Sequence, residues 1–145
     1  MLPSRILVPT DGSASAQEAV AFAAEEAVAE HATDIVVVTV LREYPSRGTF
    51  ITPLAAQAEA GEEIVKEAAA HIRKIIGDES IAIETKVITS VSEAGAIIAE
   101  AHATGTCSHI IMGNRGHGGI ANLLLGSTSH QVIQGAHCPV TIVPS

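Results

Sequence analysis

Short apolar runs rich in Val and Ile recur along the chain, separated by stretches dominated by alanine, glutamate and glycine. "RILVPT" (Arg5 to Thr10) is stopped by "DGS" and reads as a buried strand leading into a helix. "SASAQEAVAFAAEEAVAEH" predicts that helix, with Ser15 and Glu18 at capping-box spacing. "DIVVVTVL" (Asp34 to Leu41) is continuous and β-branched, as expected of a strand covered on both faces. "REYPSRGTFITP" has no periodicity and predicts an irregular segment long enough to act as a mobile flap. From Pro53 to about Ile76 a second helix is predicted, with Leu54, Ala58, Gly61, Val65, Ala68, Ile72 and Ile75 on one face. "IAIETKVI" alternates as a third strand, and Ser90 with Glu93 predicts the cap of a helix over "VSEAGAIIAEAHAT". "SHIIMG" is a fourth strand, "STSHQVIQGA" a short helix and "PVTIVP" a fifth strand.

Strands and helices thus alternate, which specifies a parallel sheet with right-handed crossovers and helices on both faces. With 145 residues, no internal repeat and no change of composition, the chain is expected to form a single domain over residues 1–145. It is 47% hydrophobic but only 2% aromatic, so the core must be built from Ala, Val, Ile and Leu. The net charge of −8, with no run of Lys or Arg, disfavours general binding to nucleic acid or anionic membrane. The N-terminus "MLPSRILVPTDGS" lacks the charged and apolar regions of a secretory signal, and no apolar run reaches membrane-spanning length. A cytoplasmic protein is expected. Cys107 and Cys138 have no metal-type spacing and read as reduced core thiols. The seven histidines form no HExxH or HxH pattern, which leaves no dedicated metal site in the sequence.

The candidate chemistry lies in "MGNRGHGGIANLLLGSTS", which places five glycines between Met112 and Ser127. Glycine is kept where the backbone takes positive φ or comes close to something. A Walker A loop is excluded, because no Gly-Lys pair exists in the chain. A dinucleotide fingerprint should follow the first strand, with an acidic residue about 20 positions on, whereas this cluster follows the fourth strand and runs into "GAHCPV". What remains is Gly113, two residues, Gly116, nine residues, then Gly126 and Ser127. Gly113 and Gly116 can present N–H groups in a concave nest for phosphate oxygens, and Gly126 with Ser127 opens a helix whose N-terminus attracts anions. The hydroxyls of Ser127 and Thr128 can each add a donor or serve as caps.

With this spacing, "ILVPTDGS" at the start and "CPVTIVP" at the end, the chain resembles the universal stress protein family, in its ATP-binding branch with the G-x2-G-x9-G-[ST] motif. The resemblance implies an open five-stranded parallel sheet of order 3-2-1-4-5, of the adenine nucleotide alpha-hydrolase-like kind. It also implies ATP with Mg2+ or Mn2+ as ligand. By the same resemblance Val40 offers backbone hydrogen bonds to adenine, Pro9, Thr10 and Met112 wall the base, and Asp11 meets the ribose or a phosphate-bound divalent ion. The core and cap readings of Val40, Met112 and Asp11 stay open. Arg115 and His117 are the only potentially cationic side chains in the loop and either offset phosphate charge or form a solvated face.

Hydrolysis of ATP needs a positioned base or water-orienting group and charge stabilisation of the leaving phosphate, and the loop supplies donors but no lysine. Asp11 is the only acidic residue expected near it. The expected function is a nucleotide-dependent stress-response regulator acting on an unknown partner protein. The alternatives are a nucleotide-free interaction protein of the same fold and a slow ATPase. In the implied order the last strand is a sheet edge without charge to blunt pairing, so a homodimer centred on Val140, Thr141, Ile142 and Val143 is expected. The alternative is a monomer with that strand shielded by the preceding helix or the flap.

Overall fold

The computed structural model describes residues 4–51, 53–77, 79–103, 107–114 and 125–145. In chain order the elements are β1 (Arg5–Pro9), α1 (Ala14–Ala29), β2 (Asp34–Arg42), β3 (Tyr44–Ser46), β4 (Thr49–Ile51), α2 (Ala55–Ile76), β5 (Ala82–Ser90), α3 (Glu93–His102), β6 (Cys107–Gly113), α4 (Ser127–Gly135) and β7 (Val140–Val143). Five strands form one parallel sheet in the order β5-β2-β1-β6-β7. Counting only these five, the order is the expected 3-2-1-4-5, and the chain reverses its direction of growth between β1 and β6. In such a sheet the loops at the carboxyl ends of those two strands flank the natural ligand crevice.

Alternation along the three central strands divides the core into two layers. Ile6 and Val8 of β1, Ile35 and Val37 of β2 and Ile111 of β6 face α1 and α2. Leu7, Val36, Val38, Ile110 and Met112 face α3 and α4, where they meet Ala94, Ile97, Ala101 and Val132. Side chains on both faces are buried, so each Val or Ile contributes about 1.5–3 kcal/mol and the strands read as continuous apolar runs. The α1 face toward the sheet is mostly alanine (Ala16, Ala19, Ala23, Ala24, Ala27), all buried. These methyl groups let a helix backbone lie close on strands where Leu or Phe would hold it off.

Several local expectations are corrected. "REYPSRGTFITP" is not irregular throughout: β3 and β4 pair antiparallel across Arg47 and Gly48, whose φ values of 45° and 81° are those of a type I′ hairpin turn. The cap of α1 is Ser13, whose Oγ accepts from the Ala16 N–H, and Ser15 is buried inside the helix. Ser92, not Ser90, caps α3 by accepting from the Gly95 N–H. The second helix starts at Ala55, and only Gly61, Val65, Ala68 and Ile72 of its predicted face are buried. Leu54 and Ala58 at the start of α2 and Ile75 at its end are exposed, so the buried stripe is confined to the middle of the helix.

The two sheet edges differ. β5 carries Glu84 and Lys86, and Lys86 Nζ donates to Glu100 of α3 at 2.5 Å. That hydrogen bond raises the lysine pKa above its ordinary value. β7 carries no charge; its four residues are half-buried, and Thr141 Oγ1 bonds Nε2 of His109, whose Nδ1 lies 2.7 Å from Glu30. Cys138 is half-buried beside the α3–α4 layer, and the Cys107 side chain lies outside the described residues.

The end of α1 holds a residue in a conformation suited to glycine. His31 has φ 54°, the Ala32 N–H donates to Ala27 O at 2.9 Å, and the His31 N–H donates to Val28 O at 3.3 Å. This is a Schellman closure with histidine at the left-handed position. His31 is exposed, so replacing it forfeits little packing. We expect His31→Gly to raise stability by about 0.5–1 kcal/mol in urea denaturation; a lowered midpoint would show that the imidazole makes a stabilising contact.

Candidate functional site

At the end of β1 the chain is held by a succession of short-range bonds. Pro9 and Thr10 are buried, and the Thr10 N–H donates to Val38 O at 2.8 Å, tying the start of the loop to β2. Thr10 Oγ1 accepts from the Gly12 N–H at 3.2 Å, and Asp11 Oδ1 accepts from the Ser13 N–H at 2.9 Å. Gly12 has φ 80°, which a side chain resists, so "TDGS" is a turn that only glycine closes easily. Asp11 is half-buried at its lip. A cavity of about 450 Å³ opens beside this turn, lined by Thr10, Asp11 and Gly12 together with Val20 of α1 and Ile64 and His71 of α2. It leads along the α1–α2 seam and does not reach Val40, Met112 or Gly113.

At the end of β6 the glycine-rich loop begins and ends in one clasp. The Gly126 N–H donates to Asn114 O at 2.6 Å, so the two ends of the loop are bonded to each other. Ser129 Oγ lies 3.3 Å from Gly113 O and 3.4 Å from Asn114 O, capping the same carbonyls from the first turn of α4. The Asn114 side chain turns the other way, and its Oδ1 accepts from Ser15 Oγ of α1 at 3.1 Å. Asn114, Ser15 and Ser129 are all buried. This polar clasp, absent from the sequence-based set, joins the two loops at the strand-order reversal. The signal for it was the hydroxyl residues Ser13 and Ser15 after the first strand and Ser127, Thr128 and Ser129 after the glycines, with nothing to say which of them turn inward.

Gly113 has a packing reason of its own, the close approach of another backbone. A Cβ built there would lie 2.5 Å from Ser15 Oγ and 2.9 Å from the Ser15 carbonyl carbon and oxygen. The strand end and the helix backbone are in direct contact, which requires glycine before any ligand is considered. Gly126 sits at the α4 N-cap with φ −71°, ordinary extended backbone. Of the hydroxyls that follow, Ser127 is exposed, whereas Thr128 Oγ1 donates to Glu93 Oε2 of α3 at 2.9 Å. Asp11 is therefore not the only carboxylate at this end of the sheet, and Glu93 is a second.

Val40 is half-buried near the end of β2, and Met112 is buried. Both pack with the α3–α4 layer, so each has a core role whatever else it contacts. The structure thus gathers Pro9, Thr10, Asp11, Met112, Gly113, Gly126, Ser127 and Thr128 at the carboxyl edge, with Val40 on the neighbouring strand. Arg115, Gly116 and His117 lie outside the described residues. No group of three or more His, Cys, Asp or Glu converges as a metal centre among the described residues. No described helix is long and apolar enough to cross a membrane.

The model of the universal stress protein family matches residues 3–144. The chain belongs to this family. A universal stress protein of Methanocaldococcus jannaschii is 30% identical over 98% of this chain and 82% of its own length. Among solved structures, a universal stress protein in complex with cAMP matches with a TM-score of 0.73 and 24% identity over 99% of this chain and 98% of its own. The universal stress protein from Archaeoglobus fulgidus in complex with dAMP matches with a TM-score of 0.69 and 24% identity, over 99% and 98% of the two chains.

For this universal stress protein the contact at Gly113 and the clasp at Asn114 predict costs in stability rather than in ligand affinity alone. Gly113→Ala should lose about 1–3 kcal/mol without ligand, because neither Ser15 nor the strand can move aside cheaply. Asn114→Ala should lose about 1–3 kcal/mol by removing the buried hydrogen bond between Asn114 and Ser15. Urea denaturation of the two variants checks both values, and an unchanged midpoint in either would contradict the packing described.

Proposed function

We propose that the chain binds an adenine nucleotide, with ATP and a divalent ion as its ligand, between the β1–α1 turn and the glycine-rich loop. In this reading it acts as a nucleotide-dependent regulator in the stress response. The observation that carries it is the clasp of Ser15, Asn114 and Gly126, which joins two loops at the strand-order reversal, where open parallel sheets take their ligands. The complexes of family members with cAMP and dAMP support the choice of ligand. In this reading Val40 and Met112 border the base with Pro9 and Thr10. Gly113, Gly116, Gly126, Ser127 and Thr128 meet the phosphates, and Arg115 and His117 offset their charge. The first turn of α4 adds the partial positive charge of a helix N-terminus.

A hard divalent cation takes oxygen ligands, and Asp11 and Glu93 bring carboxylates to this edge of the sheet. Mg2+ or Mn2+ would be held there jointly by carboxylate and phosphate oxygens and would neutralise phosphate charge. The hydroxyls and backbone donors described orient a nucleotide, but none is a base placed to activate water. Occupancy, not turnover, is therefore the output. Calorimetry with ATP and Mg2+ should show binding that weakens about tenfold or more in Asp11→Ala, with hydrolysis far below the rate of about 1 per second common among enzymes. Absence of any bound or titratable adenine nucleotide would overturn the reading, and turnover at that rate lost in Asp11→Ala would make the protein a catalyst.

The second part of the proposal is a homodimer through β7. Glu84 and Lys86 blunt the β5 edge, whereas Val140, Thr141, Ile142 and Val143 present half-buried, uncharged positions at the other. Pro139 and Pro144 bracket this stretch and limit pairing to a few residues, which favours two-fold closure over open growth. The last strand packs against β6, α1 and α4, so it is anchored from within, and among the described strands it is the terminal one of the sheet. Ile142→Asp is expected to shift sedimentation from dimer to monomer at micromolar concentration; a monomeric wild type or a fully dimeric variant would refute the interface.

A further inference from the structure

We infer that Glu93 sets which nucleotide the site prefers, because its carboxylate already holds the Thr128 hydroxyl that a phosphate would need. The inference rests on the nucleotide-binding reading above. Thr128 is the second residue of α4, in the turn proposed to receive phosphate, and its Oγ1 donates to Glu93 Oε2 at 2.9 Å. Glu93 is the first residue of α3, and α3 packs beside α4, so both helices start at the same edge of the sheet. Both side chains are half-buried, which leaves them reachable but strengthens their interaction over that of a fully exposed pair.

A hydroxyl has one proton to donate. A phosphate oxygen that takes the Thr128 proton must displace a carboxylate, and the displaced carboxylate remains within a few ångströms of the incoming charge. Like charges at such separations oppose each other by an amount equivalent to about tenfold in affinity once partial solvent screening is included. The opposition rises with the phosphate charge delivered to α4. Adenosine does not meet it, AMP meets part of it, and ATP meets it in full. A divalent cation reverses the sign, because the Glu93 carboxylate then faces a metal-neutralised phosphate. Glu93 thereby makes triphosphate binding depend on the cation and favours lower-charged adenine ligands when the cation is absent.

The test is calorimetry of adenosine, AMP and ATP, each with and without Mg2+, on the wild type, Glu93→Gln and Glu93→Asp. Glutamine keeps an acceptor for Thr128 and removes the charge, while aspartate keeps the charge at shorter reach. Metal-free ATP should bind Glu93→Gln about tenfold more tightly than wild type, with adenosine unchanged within twofold and a smaller Mg2+ effect on ATP. Glu93→Asp should retain the wild-type ranking of the three ligands. If Glu93 only braces α3 against α4, Glu93→Gln will shift all three ligands equally or none, and the inference falls while the nucleotide site stands. If the wild type binds none of the three with or without Mg2+, the nucleotide reading falls and takes this inference with it.

Discussion

The backbone of α1 passes so close to the end of β6 that a methyl group does not fit between them. Everything at the carboxyl edge depends on that approach. It is possible because the helix turns alanines to the sheet and because Gly113 ends the strand without a side chain. A larger residue at Gly113 would lift the start of α1, and with it the "PTDGS" turn, away from the glycine-rich loop. The hydrogen bond from Ser15 to Asn114 then fixes one loop against the other at a buried position, where an unmade bond costs about 1–3 kcal/mol.

Three consecutive hydroxyl residues open α4, and each has a different task. Ser129 points inward and closes the base of the loop, Thr128 reaches sideways to Glu93, and Ser127 is exposed. Their division follows from helical geometry, since successive residues are turned by about 100° and cannot share a face. For a nucleotide proposed to lie at this turn, the consequence is unequal access: one hydroxyl is exposed, one is spent on the fold, and one must be won from a carboxylate.

The sheet manages its two edges by different means. Charged side chains make β5 a poor template, and Lys86 is further committed to Glu100 across the helix layer. β7 is short and uncharged, and its Thr141 is tied back through His109 to Glu30 at the end of α1. That link sets the position of the edge strand from within the subunit.

The order of elements, the parallel sheet and its two buried faces were legible in the sequence, because each strand is a short β-branched run and each helix an alanine-rich periodic one. Those are local properties, decided by neighbours a few residues away. The family was legible too, in a glycine spacing carried by consecutive residues. Which serine caps which helix was not. Ser13 and Ser15, or Ser90 and Ser92, offer the same chemistry two positions apart, and only the path of the chain selects between them. The hairpin across Arg47 and Gly48 escaped detection because Arg at a left-handed position carries no turn signal of its own. The function of Gly113 and the pairing of Thr128 with Glu93 join residues 98 and 35 positions apart. No pattern along the chain encodes such contacts; they exist only once two helices and a strand have been brought to the same edge of the sheet.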